Sequence, residues 1–182
     1  MERERRTRAA LQRRAHRRCR KMSILLPADI LAWRVDPKAS VIDRLIGWGE
    51  YNLQEKTPQG YQYYHVAFVA PNTKQMYSAQ PPSLNLYPIE DPLPDHIEVY
   101  RMIKTPSTEQ LSSIFRYAEG RRGTWYDFLG VMTAGFIEIG GLEFCSQYTE
   151  DSFANGQIVL ASDIRFTTPD DIAGSPYLER KF

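Results

Sequence analysis

Cys145 is one of two cysteines in this 182-residue chain, and its surroundings suggest a reactive thiol. It lies in the stretch GLEFCSQYTEDSFANG, residues 141–156, at the start of a predicted helix. The unpaired N–H groups and the dipole of a helix N-terminus lower the pKa of a thiol. The same N–H groups can hold a developing oxyanion. Cys145 is therefore a candidate nucleophile for acyl transfer.

A cysteine nucleophile needs a base, which is normally a histidine. The chain has three histidines: His16 in a basic segment, His96 at the start of a predicted strand, and His65 inside the strand YYHVAFV. Strict alternation would place His65 on the same face of that strand as Tyr63 and Ala67. Because a strand holds its side chains rigidly, His65 is the candidate base.

A third polar group usually orients the base from its far nitrogen. The next predicted strand, KQMYSAQ, places Ser78 and Gln80 on one face and carries no Asp, Glu or His. Either Ser78 or Gln80 could orient His65, and the sequence leaves the choice open.

The same residues also allow an interpretation without catalysis. A lone cysteine is among the most buried residue types and usually packs as an inert side chain. A histidine on a strand is often a structural group. The three histidines and two cysteines show no metal-ligand spacing, so we expect neither a metal nor another cofactor.

The elements that must position these residues are four strands and several helices. Strands are predicted at 29–35, 61–71, 74–80 and 96–104, from β-branched, aromatic and alternating residues bounded by turns. Helices are predicted at 40–50, 107–123, 126–136 and 143–156, with a short capped helical piece in 167–176. This order predicts an α+β fold, a small antiparallel sheet packed against helices.

Charge divides the chain into two parts. Residues 1–21 carry a net charge of +8 and the remaining residues −7, although the whole chain is only +1. Like charges repel, so we expect 1–21 to be a basic arm, disordered or docked on a partner, and 22–182 to be one domain. The arm suits an acidic protein surface, nucleic acid or an anionic membrane, or serves as a solubilising extension.

No segment has the pattern of a secretory signal or a membrane span. There is no apolar run before Met22. The most apolar stretch, 128–144, is short and contains Glu138 and four glycines. We expect a cytoplasmic or particle-associated protein.

Seven short motifs occur in an order that resembles a known family, the circularly permuted NlpC-type papain-like cysteine hydrolases, including YiiX-like bacterial proteins. The motifs are LLPADILAW, YHVAFV, MYSAQ, IEVYRM, TWYDFLG, FCSQYTEDSF and TTPDDI, over roughly residues 24–175. Ala28 stands where glycine is usual in the first motif, and Ser78 stands where the family often has a carboxylate.

The resemblance implies a papain-like core in which Cys145 is the nucleophile and His65 the base. It also implies an amidase or peptidase acting on bacterial cell-wall peptides, or an enzyme of lipid esters and amides. A cell-wall enzyme without an export signal could be carried in a larger particle such as a phage virion. The alternative is a catalytically weak or inactive papain-like module with a structural role in an assembly.

Overall fold

The computed structural model describes residues 25–34, 62–128, 142–161 and 167–182. The predicted basic arm at 1–21, the predicted helix at 40–50 and the predicted helix at 126–136 from residue 129 onward lie outside the described residues. Nine helices and strands are assigned within these ranges. In chain order they are β1 Ile30–Arg34, β2 Tyr63–Val69, β3 Gln75–Gln80, β4 Ser83–Pro88, β5 Ile97–Met102, α1 Thr108–Gly120, α2 Cys145–Asn155, α3 Pro169–Ala173 and β6 Leu178–Arg180.

The strands form one six-stranded sheet in the order β4-β3-β2-β1-β5-β6, and every neighbouring pair is antiparallel. The predicted strands are confirmed, and β4 and β6 are additions that the sequence analysis did not anticipate. β4 pairs with β3 along its whole length, from Gln80 opposite Ser83 to Gln75 opposite Pro88. The α+β class with an antiparallel sheet against helices is therefore confirmed.

Apolar side chains from the two faces of the sheet form two separate clusters. The helix-side cluster contains α2 and α1 residues together with alternate strand residues such as Val66, Phe68 and Ala79. The opposite cluster contains the intervening residues, including Leu31, Ala67 and Val99. This division follows from the period of two in strand side-chain direction.

Two of the three helices begin with a complete capping box. Ser107 accepts from the Gln110 N–H and the Gln110 side chain accepts from the Ser107 N–H. Thr168 and Asp171 make the same reciprocal pair at α3. Each box satisfies two backbone donors that the helix itself leaves without acceptors. The predicted caps of both elements are confirmed, with Ser107 as the cap of α1.

Helix α2 lies across β2 and β3 and also packs against α1. The Phe68 ring of β2 contacts the rings of Tyr148 and Phe153 on α2, with centroids 5.8 and 5.6 Å apart. All three side chains are fully buried. Their burial fixes α2 against the strand that carries His65.

Gly156 ends α2 where it approaches α1. A Cβ at this position would lie 2.7 Å from Ile114 Cγ1 and 3.0 Å from the Gln110 carbonyl oxygen. Because the collision involves backbone and a buried core residue, we expect Gly156→Ala to lower the free energy of unfolding by about 1–3 kcal/mol. Urea unfolding checks this, with Gly120→Ala as the control, because a Cβ at Gly120 meets nothing within 4 Å.

Among the described residues, no helix combines the length and apolar character that a membrane span requires.

Candidate functional site

β2 departs from regular alternation next to His65. Trp33 of β1 lies opposite His65, but Arg34 lies opposite Tyr63, so Tyr64 is an extra residue in β2. Tyr63 accordingly packs in the helix-side cluster. The prediction that Tyr63 shares a face with His65 and Ala67 is therefore wrong, because the bulge reverses the side-chain direction between them. Bulges of this kind are common beside active sites, where they redirect a side chain.

A chain of hydrogen bonds joins the predicted base to both predicted orienting residues. His65 Nε2 lies 2.8 Å from Ser78 Oγ, and Gln80 Nε2 donates to the same Oγ at 3.1 Å. Ser78 is fully buried, whereas His65 and Gln80 are half-buried, so the Ser78 end of each bond is shielded from water. The sequence left open whether Ser78 or Gln80 contacts His65. The structure gives Ser78 the direct contact and Gln80 the contact behind it.

Trp33 holds the His65 ring from the neighbouring strand. The two rings meet edge to face, with centroids 4.9 Å apart and planes inclined by 65°. Together with the Ser78 hydrogen bond, this contact restricts rotation of the imidazole. The sequence did not single out Trp33, because the contact depends on the register of β1 against β2.

Cys145 is the first residue of α2, as predicted, and only 2% of its surface is exposed. It forms no disulfide. The helix is preceded by Phe144, which supplies no side-chain cap, and its first helical bond runs from the Tyr148 N–H to the Phe144 carbonyl at 2.8 Å. The N–H groups of the first turn therefore have no acceptor within the helix. Unlike α1 and α3, α2 begins without a capping side chain.

Glu143 anchors the chain that leads into Cys145. Its Oε1 accepts from the Tyr117 hydroxyl at 2.8 Å and from Arg121 Nε at 2.6 Å, both at the end of α1. Its backbone carbonyl accepts from the Asp127 N–H at 3.1 Å. Nothing in the sequence indicated this role, because Tyr117 and Arg121 are more than twenty residues away from Glu143.

Glu150 fixes the chain that follows α2. Its carboxylate oxygens accept from the Leu160 and Ala161 N–H groups at 3.1 Å, although the side chain is almost fully buried. Burial opposes the charged form and raises the pKa of the Glu150 carboxyl to about 7, against the opposing effect of these backbone donors.

Because the pKa of Glu150 is raised, the free energy of unfolding should depend on pH. The folded state binds the Glu150 proton more tightly than the unfolded state, so this contribution is greatest at low pH and is lost as pH rises from about 4.5 to 7. We expect the free energy of unfolding to fall over that range by up to about 3 kcal/mol more than in Glu150→Gln. Urea unfolding of both proteins at pH 5 and pH 8 measures the difference. Parallel pH profiles would contradict the assignment.

The structure thus joins His65, Ser78 and Gln80 by hydrogen bonds and places Cys145 on the helix that packs against their two strands. Val66 and Ala79 belong to the same buried cluster as Cys145, so alternation directs the adjacent His65 and Ser78 side chains toward the other face of the sheet. Direct pairing of the Cys145 thiol with the His65 imidazole stays a prediction. Within the described ranges, no group of three or more His, Cys, Asp or Glu side chains is arranged to hold a metal ion.

Comparisons with known proteins identify the fold. No family model matches the chain, and no curated protein matches it. A structural match is the crystal structure of the metalloprotein YiiX from Escherichia coli O157:H7, with a TM-score of 0.59 and 15% sequence identity. The match covers 86% of this chain and 96% of that one. The chain therefore has a YiiX-like fold.

Proposed function

We propose that the chain is a permuted papain-like cysteine hydrolase or acyltransferase that acts through Cys145 and His65. Ser78 and Gln80 orient the base, and the reaction is amide or peptide hydrolysis. The observation that carries the proposal is the His65–Ser78–Gln80 hydrogen-bond chain on the two strands against which the Cys145 helix packs. A base held by an orienting group is one part of a catalytic triad, and the proposal assigns Cys145 as the nucleophile.

The proposed reaction uses both ring nitrogens of His65. Nε2 keeps its bond to Ser78 Oγ, and Nδ1 takes the proton of the Cys145 thiol. The thiolate sulfur attacks the substrate carbonyl carbon, and the uncapped first turn of α2 holds the oxyanion. The C–N bond then breaks, the amine leaves with the proton from His65, and a thioester remains. Water, deprotonated by His65, attacks the thioester and releases the acid and the thiol.

The neutral Ser78 sets a limit on this chemistry. Ser78 Oγ has two lone pairs, so it can accept from protonated His65 Nε2 and from Gln80 Nε2 at once. It carries no charge to stabilise the imidazolium, in contrast to a carboxylate at the same position. We therefore expect a less basic histidine than in a Cys-His-Asp triad.

The proposed substrate is a bacterial cell-wall peptide, by analogy with the papain-like hydrolases that the sequence resembles. Analogy of fold supports a reaction class more strongly than a substrate. The proposal includes carriage in a larger particle such as a phage virion, with the basic segment 1–21 docked on an acidic protein surface or nucleic acid.

The rate of Cys145 alkylation as a function of pH tests the proposal. The measurement uses a Cys19→Ser background, so that Cys145 is the sole thiol. We expect a thiol pKa well below the free value of about 8.5, returning toward that value in His65→Ala. His96→Ala is the matched control and should leave the profile unchanged. A slow thiol of ordinary pKa, insensitive to His65, would rule out the hydrolase.

A second candidate function is a papain-like module that has lost catalysis and serves as a structural part of an assembly. The 2% exposure of Cys145 favours it, because a packed thiol is normally inert. This candidate predicts slow alkylation in the parent, His65→Ala and His96→Ala alike.

A further inference from the structure

A buried glutamate on the helix side of the sheet holds two arginines at the surface. Glu98 Oε1 lies 3.1 Å from Arg34 Nη1 and 2.8 Å from Arg180 Nη2. Only 4% of the Glu98 side chain is exposed, against 51% for Arg34 and 56% for Arg180. The two guanidinium groups therefore converge on one oxygen atom, and about half of each arginine side chain is exposed.

The other oxygen of Glu98 is occupied by neutral donors. Glu98 Oε2 accepts from the Tyr63 hydroxyl at 2.5 Å and from the Tyr100 hydroxyl at 3.2 Å. Burial raises the pKa of both tyrosines, so both remain neutral at physiological pH. One carboxylate thus faces two guanidinium groups, and the cluster carries a net positive charge in a domain whose sequence from 22 onward is acidic.

The nearby carboxylate of Asp170 does not neutralise this excess through a direct bond. It accepts instead from the backbone N–H groups of Gln62 and Tyr63, at 3.1 to 3.4 Å. The planar guanidinium fork matches the two oxygens of a carboxylate or phosphate. Two half-exposed guanidinium groups with excess positive charge are therefore suited to binding an oxyanion.

The cluster lies on the helix-side face of the sheet. Arg34 lies opposite Tyr63 in the sheet register, whereas the preceding Trp33, whose ring contacts His65, points to the other face. Tyr63 and Tyr100 belong to the same helix-side cluster as Cys145. An anion bound by the arginines would therefore lie on the same face of the sheet as Cys145, beside β1 and β6.

We propose that Arg34 and Arg180 form a subsite for a carboxylate group of the substrate, with Glu98 holding the two side chains in place. The inference rests on the proposed function and narrows its substrate to peptides or amides that carry a free carboxylate. Glu98 has a second effect, because it competes with the bound anion for the same guanidinium groups.

NMR titration of the full chain tests the subsite without requiring turnover. The probes are N-acetylglycine, which carries a carboxylate, and its neutral amide, N-acetylglycinamide. We expect only N-acetylglycine to shift the Arg34 and Arg180 side-chain signals. Arg34→Gln or Arg180→Gln should weaken its binding at least about tenfold, as expected for loss of a hydrogen bond to a charged group. Arg116→Gln, at an exposed arginine on α1, should leave the affinity unchanged.

Glu98→Gln provides an independent check, because it removes the internal competitor. N-acetylglycine should bind it more tightly than the parent, whereas a purely structural ion pair predicts no anion binding in either protein. Absence of carboxylate-dependent shifts in both, or binding of inorganic phosphate without N-acetylglycine, would overturn the proposal. Cys145→Ala should retain binding, so failure of the hydrolase and failure of the subsite give different results.

Discussion

Replacing Cys145 with alanine is expected to lower turnover of an activated ester, such as p-nitrophenyl acetate, by at least about 10³-fold. The proposed thioester forms on the Cys145 sulfur, so its removal eliminates the covalent route. The parent should also show a burst of nitrophenolate equal to the enzyme concentration, and this burst should be absent in Cys145→Ala. Measurement in the Cys19→Ser background excludes the second thiol.

Replacing Ser78 with alanine is expected to lower the rate less than replacing Cys145. Ser78→Ala removes the 2.8 Å contact with His65 Nε2 and leaves the nucleophile in place. We expect kcat to fall by about 10²-fold with little change in KM. The imidazole can still transfer a proton, but it is no longer held in the reactive orientation. Ser112→Ala, at an exposed serine on α1, is the matched control. Equal rates for Ser78→Ala and the parent would show that Ser78 does not orient the base.

The sequence predicted elements whose signals are local. The cap of α1 and the start of α2 at Cys145 follow from residue types within one helical turn. β4 was missed because SLNLYP follows Pro81 and Pro82 and ends at Pro88, which indicates a loop. It forms a strand because β3 supplies partners for every residue. β6 was missed because three residues are too short to show periodicity.

In the candidate site, too, the sequence predicted some residues and missed those whose contacts join distant parts of the chain. Cys145 and His65 were proposed from residue type and sequence neighbours, and their catalytic roles stay predictions. The order of Ser78 and Gln80 behind His65 depends on side-chain geometry, which alternation does not specify. Trp33 and Glu143 were missed because their contacts join strands and helices that are distant in sequence.

Ala28 stands where the resembled family usually has glycine, and its backbone conformation gives a reason for that preference. Its φ is +67°, in the left-handed region that glycine adopts without steric cost. The turn therefore favours glycine at this position. The chain keeps the turn with alanine because Ala28 is buried and its N–H donates to the Val69 carbonyl at 2.9 Å.

Removing Arg101 should cause the largest loss of stability among substitutions distant from the candidate site. Asp29 ends the turn that leads into β1, and Arg101 lies on β5. Two guanidinium nitrogens of Arg101 contact the Asp29 carboxylate at 2.7 Å each. The Asp29 side chain is only 1% exposed. Arg101→Met leaves this charge buried without its cation, so we expect the free energy of unfolding to fall by about 3–5 kcal/mol.

A double-mutant cycle separates the pair from the residues around it. Asp29→Asn in the Arg101→Met background removes the uncompensated charge, so the double variant should be more stable than Arg101→Met alone. The control is Arg122→Met, whose partner Glu119 is exposed at the surface, with an expected change of about 0–1 kcal/mol. Urea unfolding measures these three variants together with the parent and the single variant Asp29→Asn, which completes the cycle. Similar losses for Arg101→Met and Arg122→Met would show that burial does not strengthen the pair. A large loss for Arg101→Met alone would show that the β1–β5 pairing depends on it, and with it the position of Trp33 against His65.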